Sequence, residues 1–253
     1  MNSSPKSEIH KTRIDHVPAI WIEPDPRFSR GKLAVWLPWF TGSKESTEPQ
    51  LRQLAAKGFT ALSYDPWQHG ERARESAEEL ETRVFGNFRR YMWPIFGQTT
   101  LDALRVIDWA TENLAVGREV YAGGISMGGD IAVAIAGLDP RIVCAAAINS
   151  TPDWLRAGTE MTPGEPDAYA QFFYDRFNPL THLEAYRRRP AISFECGAED
   201  RHVPPQGALR FQEELRETYS ETPDRLRVTL HPGVKHASTE LMWIHSLEWL
   251  ASH

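Results

Sequence analysis

The hydrophobic residues of this chain occur in short runs that alternate with amphipathic stretches. Apolar runs of strand length predict strands over 17–23, 32–37, 59–64, 119–122, 142–148, 191–196 and 226–230. Apolar residues at helical spacing predict helices over 48–57, 98–114, 130–136, 206–219 and 240–251. The alternation predicts an α/β fold with a mostly parallel central sheet and helices on both faces. The first two strands are expected to form an antiparallel start.

Two long segments, 68–96 and 151–189, interrupt this alternation in what we treat as a single domain, 1–253. Connections this long in compact domains are usually functional or flexible. Both follow the carboxyl ends of predicted strands, so we predict that they are cap insertions over a site there. We expect some of the aromatic side chains to line the pocket, from the set Trp39, Trp67, Trp93, Trp154 and Phe173. The alternative is that the aromatic residues only pack the insertions onto the core.

The segment from Gly124 through Ser126 to Gly128 reads G-x-S-x-G and lies between an apolar run and a helical run of small residues. A serine at such a strand-to-helix turn is held in strained backbone geometry, with its hydroxyl above the sheet. Glycines on either side avoid a collision in the tight turn. The helix that follows directs free N–H groups at developing negative charge. The context therefore predicts a nucleophilic serine.

An acid and a base follow at the ends of later strands. Asp200 comes after the run 191–196 and His236 after 226–230, so both lie where parallel sheets place their sites. The chain order Ser, Asp, His is that of the nucleophile-elbow hydrolases. A serine hydroxyl needs a base to take its proton, an imidazole can act as that base near neutral pH, and a carboxylate orients the imidazole.

With these motifs, the chain resembles an α/β-hydrolase with cap insertions, close to the small esterases of the dienelactone-hydrolase and prolyl-oligopeptidase-like branch. The resemblance extends from about Lys32 to the end, and it also rests on the segments 32–45 and 64–72. It favours Asp200 over the adjacent Glu199 as the acid, because the D-x-x-V-P spacing matches the family.

Two further histidines compete with His236 for the role of base. His231 is expected to end its strand. His202 is expected to be a surface loop residue, with a place in the lining of the site as the alternative. Only His236 combines the right loop, strand and chain order.

The resemblance also implies an oxyanion hole made of two backbone N–H groups. One belongs to Met127, the residue after the serine. The other is expected from the loop after 32–37, where relatives commonly carry His-Gly and the next residue donates. Here Pro38 and Trp39 fill those places, so Phe40 is the inferred donor and Trp39 the alternative, since proline has no N–H. The bulk of Trp39 is expected to narrow the acyl side of the pocket.

Composition and charge exclude other classes. At a net charge of −6, the chain has no basic footprint for nucleic acid, and it has no apolar run long enough for a membrane span. Residues 1–15 are polar and show no secretion signal. Cys144 and Cys196 lie in apolar runs and are expected to be free thiols, which suits a cytoplasmic protein. No metal-ligand spacing and no Gly-rich phosphate loop occurs, so we expect no metal and no cofactor.

The expected function is hydrolysis of a small-molecule carboxylic ester through an acyl-enzyme. The same three side chains also serve thioesters, lactones, amides and short peptides, and neither fold nor triad decides between them. A non-catalytic ligand-binding relative is the alternative from another class, because the loop at Pro38 and Trp39 departs from the family pattern. The sequence indicates no particular oligomeric state.

Overall fold

The computed structural model describes residues 8–253; residues 1–7, which belong to the polar N-terminal stretch considered above, lie outside the described part. The strands are β1 (Ile9–Ile14), β2 (Val17–Ile22), β3 (Lys32–Leu37), β4 (Phe59–Tyr64), β5 (Val120–Ile125), β6 (Ile142–Ile148), β7 (Ala191–Gly197) and β8 (Leu226–His231). The helices are α1 (Glu48–Ala56), α2 (Ala77–Gly86), α3 (Phe88–Asn113), α4 (Met127–Leu138), α5 (Ala168–Phe177), α6 (Gln206–Glu214) and α7 (Glu240–Ser252).

One eight-stranded sheet, ordered β1-β2-β4-β3-β5-β6-β7-β8, runs through the molecule. β2 pairs antiparallel with β1 and with β4, whereas all neighbours from β4 to β8 are parallel. The mostly parallel sheet is therefore confirmed. The prediction that 32–37 belongs to the antiparallel start was wrong, because β3 lies between β4 and β5 and is parallel to both.

The strand β1 was missing from the sequence prediction. It is an edge strand that pairs on one side only, and most of its residues are partly exposed or exposed. An edge strand of this kind needs few apolar side chains, so its sequence IHKTRI carries no clear hydrophobic pattern.

Two hydrophobic clusters cover the two faces of the sheet. Residues of α3, α4 and α6 pack on one face, and residues of α1 and α7 pack on the other. The central strand β6 is a run of small and branched residues between the two layers, and its alanines leave room for helices on both sides.

Both long segments contain helices. A capping box between Ser76 and Glu79 starts α2. The side chain of Asn87 caps α3, which begins at Phe88, ten residues before the predicted start at 98. α3 continues through Pro94, and the ring of Phe173 on α5 fills the space that a Cβ of Gly97 would need. Within residues 8–253, no helix combines the length and the apolar character required to cross a bilayer.

Candidate active site

The turn between β5 and α4 holds Ser126 in a backbone conformation that residues other than glycine rarely adopt, with φ 52° and ψ −118°. The end of β6 supports this turn. The Ser126 N–H donates to the carbonyl of Ile148 at 2.8 Å, and the Ser150 hydroxyl lies 2.9 Å from the carbonyl of Ser126. A strained residue persists only where its surroundings determine it, so Ser150 is a support that the sequence motif did not reveal.

The two glycines of the motif allow the backbone to pack closely around this turn. A Cβ on Gly124 would lie 2.4 Å from the carbonyl carbon of Gly128, and a Cβ on Gly128 would lie 2.3 Å from the carbonyl oxygen of Leu37. The first turn of α4 therefore packs directly on the end of β3. This contact brings the loop with Phe40 beside the N-terminus of the helix that begins at Met127.

The structure brings Ser126, His236 and Asp200 together in one chain of contacts. Ser126 Oγ lies 3.1 Å from His236 Nε2, and His236 Nδ1 lies 2.6 Å from Asp200 Oδ2. Because Nδ1 faces a carboxylate, it carries the ring proton, and Nε2 is left with a lone pair toward the serine. The arrangement can move a proton from the hydroxyl to the imidazole while the carboxylate stabilises the resulting cation.

Asp200 is held rigidly for this position. Its side chain is buried, and its second oxygen, Oδ1, accepts hydrogen bonds from the backbone N–H groups of His202 at 2.9 Å and Val203 at 2.8 Å. The adjacent Glu199 is exposed. The geometry thus favours Asp200 as the acid, since it is the carboxylate in contact with the histidine.

The two competing histidines lie elsewhere. His231 contacts Glu195 on β7 rather than the serine. His202 is half-buried beside His236, with ring centroids 4.7 Å apart, so the expectation of a surface residue was wrong. Burial, together with the charges of Arg156 and His236, lowers the pKa of His202 to about 4. His202 is therefore neutral at neutral pH and adds no positive charge beside the base.

The oxyanion hole is predicted to consist of two backbone N–H groups, those of Met127 and Phe40. Met127 is the first residue of α4, where a helix leaves its N–H groups without intrahelical partners. In the turn after β3, the carbonyl of Trp39 accepts from the N–H of Gly42 at 2.9 Å, and Thr41 has φ 68°. This hydrogen bond does not involve the N–H of Phe40, which stays the predicted second donor, with Trp39 as the alternative.

A buried lysine fixes the loop that carries Phe40. Lys44 Nζ lies 2.9 Å from Asp65 and 2.7 Å from Glu71, and the backbone N–H of Lys44 also donates to Asp65. The loops after β3 and β4 are thereby joined.

Ser126 opens into a cavity of about 600 Å³. The lining residues come from seven parts of the chain: Trp39, Phe40, Thr41, Gln50, Glu81, Phe85, Ile125, Ser126, Asn149, His202, His236 and Ser238. Phe85 of α2 links the walls, because its ring lies 5.3 Å from the rings of both Phe40 and His202. The first insertion therefore contributes directly to the cavity.

Of the five aromatic residues in the predicted set, only Trp39 lines the cavity. Trp93, Trp154 and Phe173 are buried, and the indole N–H of Trp93 donates to the carbonyl of Trp154 at 2.9 Å. Trp67 lies under the guanidinium of Arg72, beside a separate surface depression. Of the predicted set, Trp39 is thus the one that lines the cavity, and the rings of Trp93, Trp154 and Phe173 pack inside the fold instead.

The wall formed by Glu81 and Phe85 was not among the site residues predicted from the sequence. These residues are four positions apart on α2, and so they share a face of that helix. The serine and glutamate of the capping box at Ser76 and Glu79 were the available signal that a helix begins there.

A mostly parallel sheet, a serine at the strand-to-helix turn, and an acid and histidine on later loops together define an α/β-hydrolase. The chain belongs to the prolyl oligopeptidase family, whose model matches residues 88–248, and thus to a group of esterase- and peptidase-like serine hydrolases.

Individual relatives agree with this assignment. The chain is 23% identical to the Bacillus subtilis (strain 168) protein named "Putative esterase YitV", over 97% of this chain and 99% of that protein. Its fold matches TT1662 from Thermus thermophilus with a TM-score of 0.78 at 22% identity, over 98% of both chains. It also matches the Pyrococcus furiosus esterase Pf2001 with a TM-score of 0.66 at 17% identity, over 100% of this chain and 93% of that one.

Proposed function

We propose that this hydrolase cleaves small carboxylic esters through an acyl-enzyme intermediate. The observation that carries the proposal is the continuous contact from Ser126 Oγ to His236 and from His236 to Asp200. Ser126 attacks the ester carbonyl while His236 takes its proton, and the protonated His236 then passes this proton to the departing alcohol. Water activated by His236 releases the acid in the second half of the cycle.

The negative charge that develops on the carbonyl oxygen is stabilised by the N–H groups of Met127 and Phe40 in this proposal. Both donors belong to parts of the chain that are held in place. Met127 starts α4, and buried Lys44 anchors the loop that carries Phe40. Donors that are already oriented cost no reorganisation during the reaction, and one such donor contributes about 10²–10³ in rate.

The cavity lining supports a preference for short, uncharged or cationic substrates. Trp39, Phe40 and Phe85 supply apolar wall, and the ring of Trp39 takes space on the side expected to receive the acyl group. Histidines aside, Glu81 alone carries a formal charge at neutral pH among the lining residues of the described chain. An anionic substrate would meet this carboxylate without a compensating lysine or arginine in the wall.

Covalent labelling tests the role of the serine. A fluorophosphonate probe is expected to add once to the wild-type protein and not to S126A, as read by intact-protein mass. The matched control is S238A, which removes another hydroxyl from the same cavity and should still be labelled. Labelling of S126A at the wild-type rate, or no labelling of the wild type, would favour a ligand-binding protein instead.

Hydrolysis assays test the substrate class. We expect S126A to lose about 10⁴-fold or more in kcat on p-nitrophenyl acetate. A panel of esters, thioesters, lactones and peptide anilides then ranks leaving groups on the wild type. Faster cleavage of anilides than of esters would assign the protein to the peptidases of its family and reject the ester proposal.

A further inference from the structure

A second cluster of ligand-type side chains lies below the loops that carry Asp200 and His236. Glu195 of β7 is fully buried, and its Oε2 lies 2.7 Å from His231 Nε2 and 3.0 Å from His245 Nδ1. The three ligand-type atoms lie within 4.8 Å of one another. None of these three residues is among those that line the cavity at Ser126, so the hydrolytic mechanism leaves the cluster unused.

Two imidazole nitrogens and one carboxylate oxygen form a donor set that binds zinc. Ligand atoms about 2.0–2.2 Å from a tetrahedral ion stand roughly 3.3–3.6 Å from one another. Side-chain shifts of less than about 1 Å at each group would therefore admit the ion between the three atoms. We propose that Glu195, His231 and His245 bind one divalent transition-metal ion, for which zinc is the best match, in a structural role.

The surroundings of Glu195 separate its two oxygens. Oε1 is contacted by Arg227 at 3.2 Å and lies 3.4 Å from the hydroxyl of Ser193, which leaves Oε2 to the histidines. Such partners orient a ligating carboxylate. The positive charge of Arg227 opposes a bound cation, but its side chain is 43% exposed and is screened by water. The side chain of His245 is one-third exposed and provides the route for the ion and for a water as fourth ligand.

The cluster lies at the base of the two loops that carry Asp200 and His236. Glu195 and His231 each stand five residues before a member of the triad. The N–H of Ala198 donates to the carbonyl of His231 at 3.0 Å, and that of Glu199 donates to the carbonyl of Val234 at 2.9 Å. An ion that joins β7, β8 and α7 would therefore hold both loops at their base and stabilise the placement of Asp200 and His236.

Direct metal binding tests the proposal. The full chain is treated with chelator, dialysed, and titrated with Zn²⁺ alone; we expect one equivalent bound, by elemental analysis after gel filtration. With zinc at about a hundredfold excess over Kd, Tm should rise by roughly 5–10 °C. Co²⁺ should give the visible absorption bands of a tetrahedral site. Less than a tenth of an equivalent of bound zinc, or an unchanged Tm, would overturn the proposal.

Variants locate the ion. H245Q changes the most exposed of the three ligands and should bind zinc at least tenfold more weakly, with no rise in Tm. H10Q is the matched control, because His10 lies on β1 at the opposite edge of the sheet, and it should bind as the wild type does. R227Q removes the opposing charge and should bind zinc more tightly, whereas a plain hydrogen-bonded cluster would show no zinc binding in any variant. Binding by H245Q equal to the wild type would refute the site.

Discussion

Arg156 holds the second insertion against the nucleophile helix, and R156M should destabilise the protein strongly. Its guanidinium lies 2.6 Å from Asp130 in the first turn of α4, and both side chains are almost completely buried. The same guanidinium stacks over the ring of Phe88 at 4.8 Å. Methionine preserves the apolar stem but leaves the carboxylate of Asp130 buried without its counter-charge, with only the N–H of Thr151 as donor.

The expected cost is large for a single substitution. Removing one partner of a buried ion pair lowers the free energy of unfolding by about 3–5 kcal/mol, out of a total of about 5–15 kcal/mol. In D130N/R156M the uncompensated charge is gone, so most of this loss should return. A deficit of about 1–2 kcal/mol remains, because the contact with Phe88 is still missing.

The loss should also depend on pH in a defined direction. Burial already raises the pKa of the Asp130 carboxyl, against the opposing effects of Arg156 and the Thr151 N–H. Without Arg156 this pKa rises further, so the folded state of R156M binds the proton more tightly than the unfolded state. The stability of R156M therefore falls as pH rises from the pKa of Asp130 in the unfolded state toward its pKa in the folded state. The loss of stability relative to the wild type is smaller at pH 5 than at pH 8.

Urea unfolding followed by tryptophan fluorescence at pH 5 and pH 8 measures these differences. The control is R105M, because Arg105 pairs with Asp15 on the surface, where an ion pair contributes about 0–1 kcal/mol. Two results would refute the reasoning: a loss in R156M no larger than in R105M, or a double variant as unstable as R156M.

Three further changes test other parts of the structure. G128A should lower kcat by about 10²-fold or more, because its Cβ would collide with the carbonyl oxygens of Leu37 and Pro38 and displace the loop that carries Phe40. The control G86A, with open space around its Cβ, should leave kcat unchanged. Burial, aided by the charge of Arg72, lowers the pKa of His69 to about 4, against the opposing effects of the Trp67 carbonyl and Asp65. As pH falls, His69 is therefore protonated in the unfolded state before it is protonated in the folded state. The wild type should thus lose about 3 kcal/mol relative to H69Q between pH 6.5 and pH 4 in urea unfolding, and parallel pH profiles would contradict this. W39A should raise the ratio of kcat/KM for p-nitrophenyl octanoate to that for the acetate by about tenfold, and an unchanged ratio would place the acyl group elsewhere.

The local sequence determined a large part of this protein. Apolar runs of strand length identified seven of the eight strands, and the run 142–148 is continuous because β6 is covered on both faces. The G-x-S-x-G segment also determined the turn at Ser126, since only glycine fits beside the backbone that crosses there. The loops with Asp200 and His236 could be found because each directly follows such a strand.

Only the tertiary structure decided which side chains surround the serine. Ser126 and His236 are 110 positions apart, and their contact depends on the parallel order of β5 to β8 rather than on any local pattern. The same holds for the wall formed by Phe85 and for the cluster of Glu195 with two histidines, whose members lie on three separate elements. Periodicity reports which face of an element is buried. It does not report which element covers that face, because this choice is made by the packing of the whole chain.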